Sequence, residues 1–237
     1  MAEQVGRKMR VNKLTAWLAC AVLLGVGPML LAGEQTGSPP AKKSKAPTKA
    51  STKKPPVPDD TPPNKALGSK TAPITLEVFS DYQCPACKQL YLDTLRPLID
   101  NYVSTGKVYL IHRDYPLPMH QYSRDAARLA NAAGRLGRFE KVDAQLYSRQ
   151  ESWEKDGNLE GALATVLSPV ELKRVRELAK SGKMDPFIES DLALGQSRNV
   201  NQTPSMFVSH QGQLYPLPAG VVNYSLLKRF LDDLLHK

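Results

Sequence analysis

The chain has 237 residues, 41% of them hydrophobic and 23% charged, a composition that excludes a disordered or fibrous protein. Its 32 Lys and Arg against 23 Asp and Glu give a net charge of +9, which at first suggests nucleic-acid binding. The excess lies at the front, because residues 1–70 hold 12 basic and 4 acidic side chains whereas residues 71–237 hold 20 and 19. A body without a basic face has little means of neutralising phosphates, so the sequence predicts no nucleic-acid partner.

Residues 1–33 have the pattern of an export signal or a signal anchor. Four basic residues among the first 13 precede an uncharged run over residues 14–33, whose length approaches a bilayer span. The positive-inside rule places the N-terminus in the cytoplasm and everything downstream outside it, in a periplasm or at a cell surface. A cleavable signal needs a small residue near the cut where this chain has Leu30, which favours a retained membrane anchor over residues 14–33.

A Pro- and Lys-rich linker is predicted over residues 34–70. It contains 8 Pro and 8 Lys among 37 residues, with few side chains apolar enough to build a core. The lysines would also suit an anionic surface, but a solvated, disordered spacer is the simpler interpretation. The folded domain is therefore expected to occupy residues 71–237.

The first part of this domain predicts a βαβ unit. Residues 74–79 form a strand pattern, residues 88–102 carry apolar side chains at a helical period, and residues 108–111 form a second strand pattern. Pro97 predicts a kink or break in the second half of the helix. A right-handed unit of this kind places the start of its helix at the carboxyl edge of a parallel strand pair.

Residues 121–199 are predicted to form an inserted helical subdomain of four or five helices. Ser168 and Glu171 form a capping-box pattern at one helix start, and Asp185 before Pro186 repeats the device at another. The large aromatic side chains of the insertion are expected to pack in the core, namely Phe139, Tyr147 and Trp153.

The end of the chain predicts a β-hairpin followed by a helix. Residues 205–210 and 213–216 are strand patterns separated by Gln211-Gly212, and Asn223 is placed to cap a final amphipathic helix. The predicted element order is therefore β-α-β, a helical insertion, then β-β-α, which is an α/β fold.

Two cysteines of the exported part, Cys84 and Cys87, lie where the first strand meets the first helix. A zinc site needs two more ligands, and the four histidines show no paired spacing. A structural disulfide between residues three apart closes so short a loop that it would stabilise the fold weakly. Redox catalysis fits the position best, because free N–H groups and the dipole at a helix start stabilise a thiolate. The sequence predicts no metal and no cofactor beyond this pair.

The two cysteines are expected to have different roles. Cys84 lies in the turn where solvent reaches it, so it is the predicted nucleophile. Cys87 lies one helical turn further on, more buried, and is the predicted resolving cysteine of a mixed disulfide. Pro85 has no N–H, so it limits the donors that reach the Cys84 sulfur and thereby affects the redox potential.

Three motifs together resemble the DsbA-type branch of the thioredoxin superfamily, namely Phe79-Ser80-Asp81-Tyr82-Gln83-Cys84-Pro85-Ala86-Cys87, Arg113-Asp114-Tyr115-Pro116-Leu117, and Thr203-Pro204 before a late strand. The likeness covers most of residues 71–237. It implies a thioredoxin-like fold with a helical insertion and thiol:disulfide oxidoreductase activity at Cys84 and Cys87. It also implies that the bond before Pro204 is cis, that this proline faces the cysteines, and that the backbone at Thr203 pairs with a substrate chain.

The family resemblance also implies a buried acid on the first strand, six residues before the nucleophile, where this chain has Val78. Glu77 is its neighbour, but strand alternation points the two side chains to opposite faces. Glu77 is therefore a doubtful proton-transfer group. Asp81 is equally doubtful, because its place after the strand favours a turn or capping role.

Taken together, the sequence predicts an extracytoplasmic thiol:disulfide oxidoreductase that donates disulfides to cysteine-containing exported proteins. A membrane redox partner is expected to restore its disulfide. The same residues would serve a reductase or an isomerase, and the direction depends on how strongly the Cys84 thiolate is stabilised. The alternative from another class is a non-catalytic, membrane-tethered thioredoxin-like binding module whose disulfide stays closed.

Overall fold

The structure, a computed structural model, describes residues 62–236. The predicted signal or anchor over residues 1–33, and the predicted linker as far as residue 61, lie outside this range. Within the described range, no helix is long and apolar enough to cross a bilayer.

A five-stranded sheet with the order β1-β3-β2-β4-β5 forms the centre of the described domain. Its strands are β1 (Ala66–Leu67), β2 (Ile74–Ser80), β3 (Val108–Asp114), β4 (Ser205–His210) and β5 (Gln213–Pro216). The central strand β2 pairs in parallel with β3 and antiparallel with β4. The parallel pairing and the helix between the two strands confirm the predicted βαβ unit, and β4 with β5 confirms the predicted hairpin.

The folded domain begins earlier than the predicted boundary at residue 71. β1 pairs antiparallel with β3, placing Ala66 opposite Ile111. The neighbouring Lys65 is buried and forms ion pairs with Asp114 and Asp191. Composition assigns these residues to the linker, whereas long-range pairing with β3 and with two acids makes them part of the sheet.

The first helical run extends from residue 85 to residue 103 and contains two π-helical segments. It consists of α1 (Pro85–Leu90), a π segment (Tyr91–Leu95), α2 (Arg96–Leu98) and a second π segment (Ile99–Val103). The chain therefore continues helically past Pro97, where the sequence predicts a kink or break. A π turn bonds residue i to i−5 and is wider than an α turn, so it accommodates a proline that has no N–H to donate.

The insertion contains six helices in the described structure, one more than the upper end of the prediction. They are α3 (Ser123–Arg135), α4 (Phe139–Ser148), α5 (Gln150–Asp156), α6 (Leu159–Leu163), α7 (Pro169–Lys180) and α8 (Asp185–Ser197). The capping box of Ser168 and Glu171 is present at the start of α7. The repeated device is absent from α8, because Asp185 lies inside the helix and its carboxylate accepts instead from Arg124 and Arg128.

The final helix, α9 (Tyr224–Leu235), is capped by Asn223, whose side chain accepts from the N–H of Ser225 as predicted. The large insertion aromatics are buried, as expected, and are Phe139, Tyr147 and Trp153. Alternation along β2 sends Val78 into the main core and Phe79 into a smaller cluster with Phe207 and Val200. The face that carries Val78 is therefore the one that packs with Cys84 and Cys87.

Candidate active site

Cys84 occupies the N-cap position of α1, at the carboxyl edge of the sheet. Its backbone is extended, with φ −75° and ψ 122°, and its N–H donates to the Asp81 carbonyl at 3.1 Å. Pro85 stands in the first turn of α1, where a missing N–H costs no helical hydrogen bond. Cys87 lies one turn further and is 1% exposed, against 7% for Cys84. Both are free thiols.

The loop before β4 brings Thr203 and Pro204 against the nucleophile position. The peptide bond between these residues is cis. The Cys84 thiol donates to the Thr203 carbonyl with an Sγ to O distance of 3.5 Å. Residues 119 positions apart in the sequence thus meet at one sulfur, which is the juxtaposition that the family resemblance implies.

The two thiols have very different acidities. A hydrogen bond from Cys87 is the largest influence on Cys84, and together with the N–H groups of Cys87 and Ala86 it lowers the pKa of Cys84 to about 5 against the opposing effect of burial. Burial raises the pKa of Cys87 well above its ordinary value, and the neighbouring Cys84 adds to that rise. The expected helix-start effect is present, but the second thiol contributes more. Such a pair is suited to nucleophilic attack by Cys84 and resolution by Cys87.

Asp81 fixes the backbone around the site. Its carboxylate accepts from the N–H of Gln83 at 2.7 Å, from the N–H of Leu117 at 2.7 Å and from Nδ1 of His120 at 2.8 Å. Its own N–H lies 3.5 Å from the Cys87 sulfur. The carboxylate therefore joins two loops, and only the backbone of Asp81 contacts the cysteine.

Glu77 points away from the cysteines, to the opposite face of the sheet from Val78. It accepts from Nε of Arg113 at 2.8 Å and from Nη1 of Arg198 at 2.6 Å. Burial raises the pKa of Glu77, but hydrogen bonds from Arg198 and Arg113 outweigh it and leave the pKa below the ordinary value. The alternation rule thus holds without a bulge, and Glu77 is a paired structural carboxylate.

Two residues of the insertion also reach the active-site turn: Tyr147, which the sequence assigns to the core, and Gln150, which the sequence does not single out. The hydroxyls of Ser80 and Tyr147 lie 2.7 Å apart. The side-chain amide of Gln150 donates to the carbonyls of Tyr82 at 2.7 Å and Cys84 at 3.0 Å. The only sequence signal for these contacts is that Tyr147 and Gln150 carry polar groups in a part of the insertion whose buried side chains are mostly apolar.

A family model described as thioredoxin matches residues 60–233. The disulfide bond formation protein D of Bacillus subtilis is 25% identical over 153 residues, which cover 60% of this chain and 66% of that protein. The structure of Pseudomonas aeruginosa DsbA2 superposes with a TM-score of 0.58 and 25% identity, covering 73% of this chain and 94% of that one.

The Na(+)/H(+) antiporter NhaA 3 of Salinispora tropica is 27% identical over 175 residues, which are 73% of this chain but 26% of the antiporter. The chain thus spans about a quarter of the length of that relative and slightly less than two thirds of the Bacillus subtilis protein.

Proposed function

Since the chain belongs to the thioredoxin family, we propose that it is a DsbA-type thiol:disulfide oxidoreductase that acts outside the cytoplasm and donates its disulfide to exported proteins. The residues that carry out the exchange are Cys84 and Cys87, with no metal or further cofactor. The proposed location rests on the export pattern of residues 1–33, which would also tether the protein if that segment is retained. A membrane redox partner would reoxidise the pair.

The low pKa of Cys84 carries the proposed direction. A thiolate that is stabilised in the reduced protein makes Cys84 a good leaving group, so the disulfide passes readily to another thiol. The name of the Bacillus subtilis relative, a disulfide bond formation protein, supports the same direction.

The loop at Thr203 supports a site for an extended substrate chain. Its carbonyl faces the Cys84 sulfur, and Thr203 lies just before the start of β4 at Ser205. A groove of about 350 Å³ is lined by Pro85, the residue after the nucleophile, and by Lys88 and Gln150 among others. We propose that a cysteine-bearing segment pairs with the backbone at Thr203 while its neighbouring side chains enter this groove.

The reduction potential of the Cys84–Cys87 pair, measured by equilibration with a glutathione series, tests the direction. A value between about −120 and −180 mV is expected for a disulfide donor. A value near −270 mV would make the protein a reductase instead.

The alkylation rate of the two reduced cysteines tests the binding-module alternative. Rapid modification of Cys84 at acidic pH, with slow modification of Cys87, is expected for a catalytic pair. Equally slow reaction of both would favour a non-catalytic domain. Labelling of Cys84 in intact cells by a membrane-impermeant thiol reagent tests export, because a cytoplasmic domain would stay unlabelled.

A further inference from the structure

The exchange proposed above requires Cys87 to lose and regain a proton while it is almost fully buried. Its thiol must become a thiolate to attack the Cys84 sulfur in a mixed disulfide, and it leaves as a thiolate when the disulfide opens. At 1% exposure, direct transfer to bulk solvent is hindered. The proton therefore needs a path through polar groups of the protein.

Hydroxyl groups provide the first part of such a path. The Ser80 hydroxyl acts on the Cys87 thiol and lowers its pKa, although the larger effect of burial still leaves that pKa raised. Its oxygen lies 2.7 Å from the hydroxyl of Tyr147, and either group can donate to the other. The path therefore leads from the resolving thiol away from the sheet and into α4 of the insertion.

Asp143 lies one helical turn before Tyr147, so the two side chains share a face of α4. Both are buried, with exposures of 6% and 2%. A cavity of about 20 Å³ is lined by Ser80, Tyr147, Asp143 and His112. That volume suits one water molecule, and the four polar side chains provide the partners it would need.

We propose that Asp143 takes up the proton of Cys87 through Ser80, Tyr147 and a water in this cavity, and returns it when Cys87 leaves. The Cys84 thiolate first displaces one thiolate from a substrate disulfide, giving a mixed disulfide. Cys87 then transfers its proton to the Asp143 carboxylate, its sulfur bonds to Cys84, and the remaining substrate sulfur departs as a thiolate. The substrate disulfide is reduced and the protein pair is oxidised. Donation of a disulfide is the reverse sequence.

Three other ionisable groups near the active site have partners that keep them from this role. The Asp81 carboxylate already accepts three hydrogen bonds and faces the loop at Leu117. Glu77 lies on the opposite face of the sheet between two arginines. Lys65 is held between Asp114 and Asp191.

The electrostatic environment suits Asp143 to exchange protons near neutral pH. Burial raises the pKa of Asp143 to about 6, although the nearby His112 and the hydrogen bond from Tyr82 oppose the rise. Tyr82 donates to the carboxylate at 2.9 Å, and Nδ1 of His112 lies 3.6 Å from it. The charged and titratable groups that act on Asp143 and on the path lie in several elements, and they are Lys65, Asp81, Tyr82, Cys87, Tyr91, His112, Asp114, Glu140 and Tyr147.

Reaction of the reduced full chain with oxidised glutathione separates the relevant steps. Attack by Cys84 is a second-order step whose rate rises in proportion to the concentration of glutathione disulfide, whereas resolution by Cys87 is first order, does not depend on that concentration and appears as a plateau rate. Asp143→Asn is expected to slow the first-order step at pH 7 on the order of 100-fold and to remove its inflection near pH 6. The second-order step is expected to keep its rate.

Two further variants make the test decisive. Asp233→Asn makes the same chemical change at an exposed carboxylate of α9, away from the path, and is expected to leave both steps unchanged. Tyr147→Phe keeps the ring that stacks on Tyr91 but removes the hydroxyl, so it is expected to slow the first-order step in a protein that still folds. Normal first-order rates and pH profiles in folded Asp143→Asn and Tyr147→Phe would overturn the proposal. If Asp143→Asn does not fold, Tyr147→Phe alone decides. A wild-type chain that fails to react with glutathione disulfide would count against the proposed function instead.

Discussion

The stability of the reduced protein is expected to rise with pH because of Cys84. The folded-state pKa of Cys84 is about 5, whereas an unfolded thiol titrates near 8.5. Between these values the unfolded chain binds the extra proton, so the stabilisation is complete above about pH 8.5, is partly present at pH 7 and is lost by the time the pH has fallen to 5. The slope is about 1.4 kcal/mol per pH unit, which gives about 3 kcal/mol at pH 7 relative to pH below 5.

The same stabilisation of the Cys84 thiolate is expected to raise the reduction potential of the cysteine pair. The oxidised protein has no thiolate to stabilise, so only the reduced form gains the 3 kcal/mol or so worked out above. For a two-electron couple this corresponds to a potential raised by about 60 mV at pH 7, in the direction of a disulfide donor.

Denaturant unfolding under reducing conditions, repeated between pH 4.5 and pH 7.5, measures this contribution. Cys84→Ser is the matched control, because it keeps Asp143 and every other titrating side chain while removing the thiolate. The difference in free energy of unfolding between the two proteins is expected to grow by about 3 kcal/mol from pH 4.5 to pH 7. A difference that stays constant across this range would refute the assigned acidity of Cys84.

Three further substitutions test the surroundings of the site. Cys87→Ala is expected to raise the pKa of Cys84, because it removes the strongest hydrogen-bond donor to that sulfur, and Cys87→Ser is expected to raise it less. The pH dependence of alkylation measures both shifts, and equal shifts would exclude the hydrogen bond as the cause. Glu77→Gln is expected to lower the free energy of unfolding by about 3 kcal/mol, since Arg198 loses its carboxylate partner and Arg113 keeps only Asp191. The resolving step is expected to keep its rate, and a slowed step would implicate Glu77 in proton transfer. Ser168→Ala is expected to cost about 1 kcal/mol of stability in denaturant unfolding through loss of the capping box, and an unchanged midpoint would contradict that role.

The sequence predicts the cysteine pair and the order of elements well because both are local signals. Cys84 and Cys87 are close in the chain, and strand and helix periods identify β2, β3 and the hairpin. The cis loop at Thr203 is distant from the cysteines, and only the family resemblance connects them. Physical reasoning from periodicity alone would not bring these residues together.

The remaining features depend on tertiary contacts that no local pattern encodes. Lys65 lies in a stretch with the composition of a linker, yet two distant carboxylates, Asp114 and Asp191, bury it. Tyr147 has the sequence pattern of an ordinary core aromatic, and the role proposed for its hydroxyl depends on the contact with Ser80, which is 67 residues away in the chain. The Asp185-Pro186 signal was misleading because Arg124 and Arg128 compete with the backbone for that carboxylate.

Alternation along β2 places Val78, and not Glu77, on the face of the cysteines, so β2 has no carboxyl group there and the insertion would supply it through Asp143. An acid introduced at position 78 therefore tests whether a carboxyl on this face can replace Asp143. Val78 is 2% exposed and lines the same cavity as Asp143, so an acid at either position faces the path from Cys87. Aspartate is smaller than valine, so Val78→Asp fits that space, and burial would raise the pKa of the new carboxyl group. Adding Val78→Asp to Asp143→Asn is therefore expected to recover much of the lost rate of resolution, whereas adding Val78→Asn is not. Equal first-order rates in the two double variants would mean that a carboxyl in this cavity does not receive the proton.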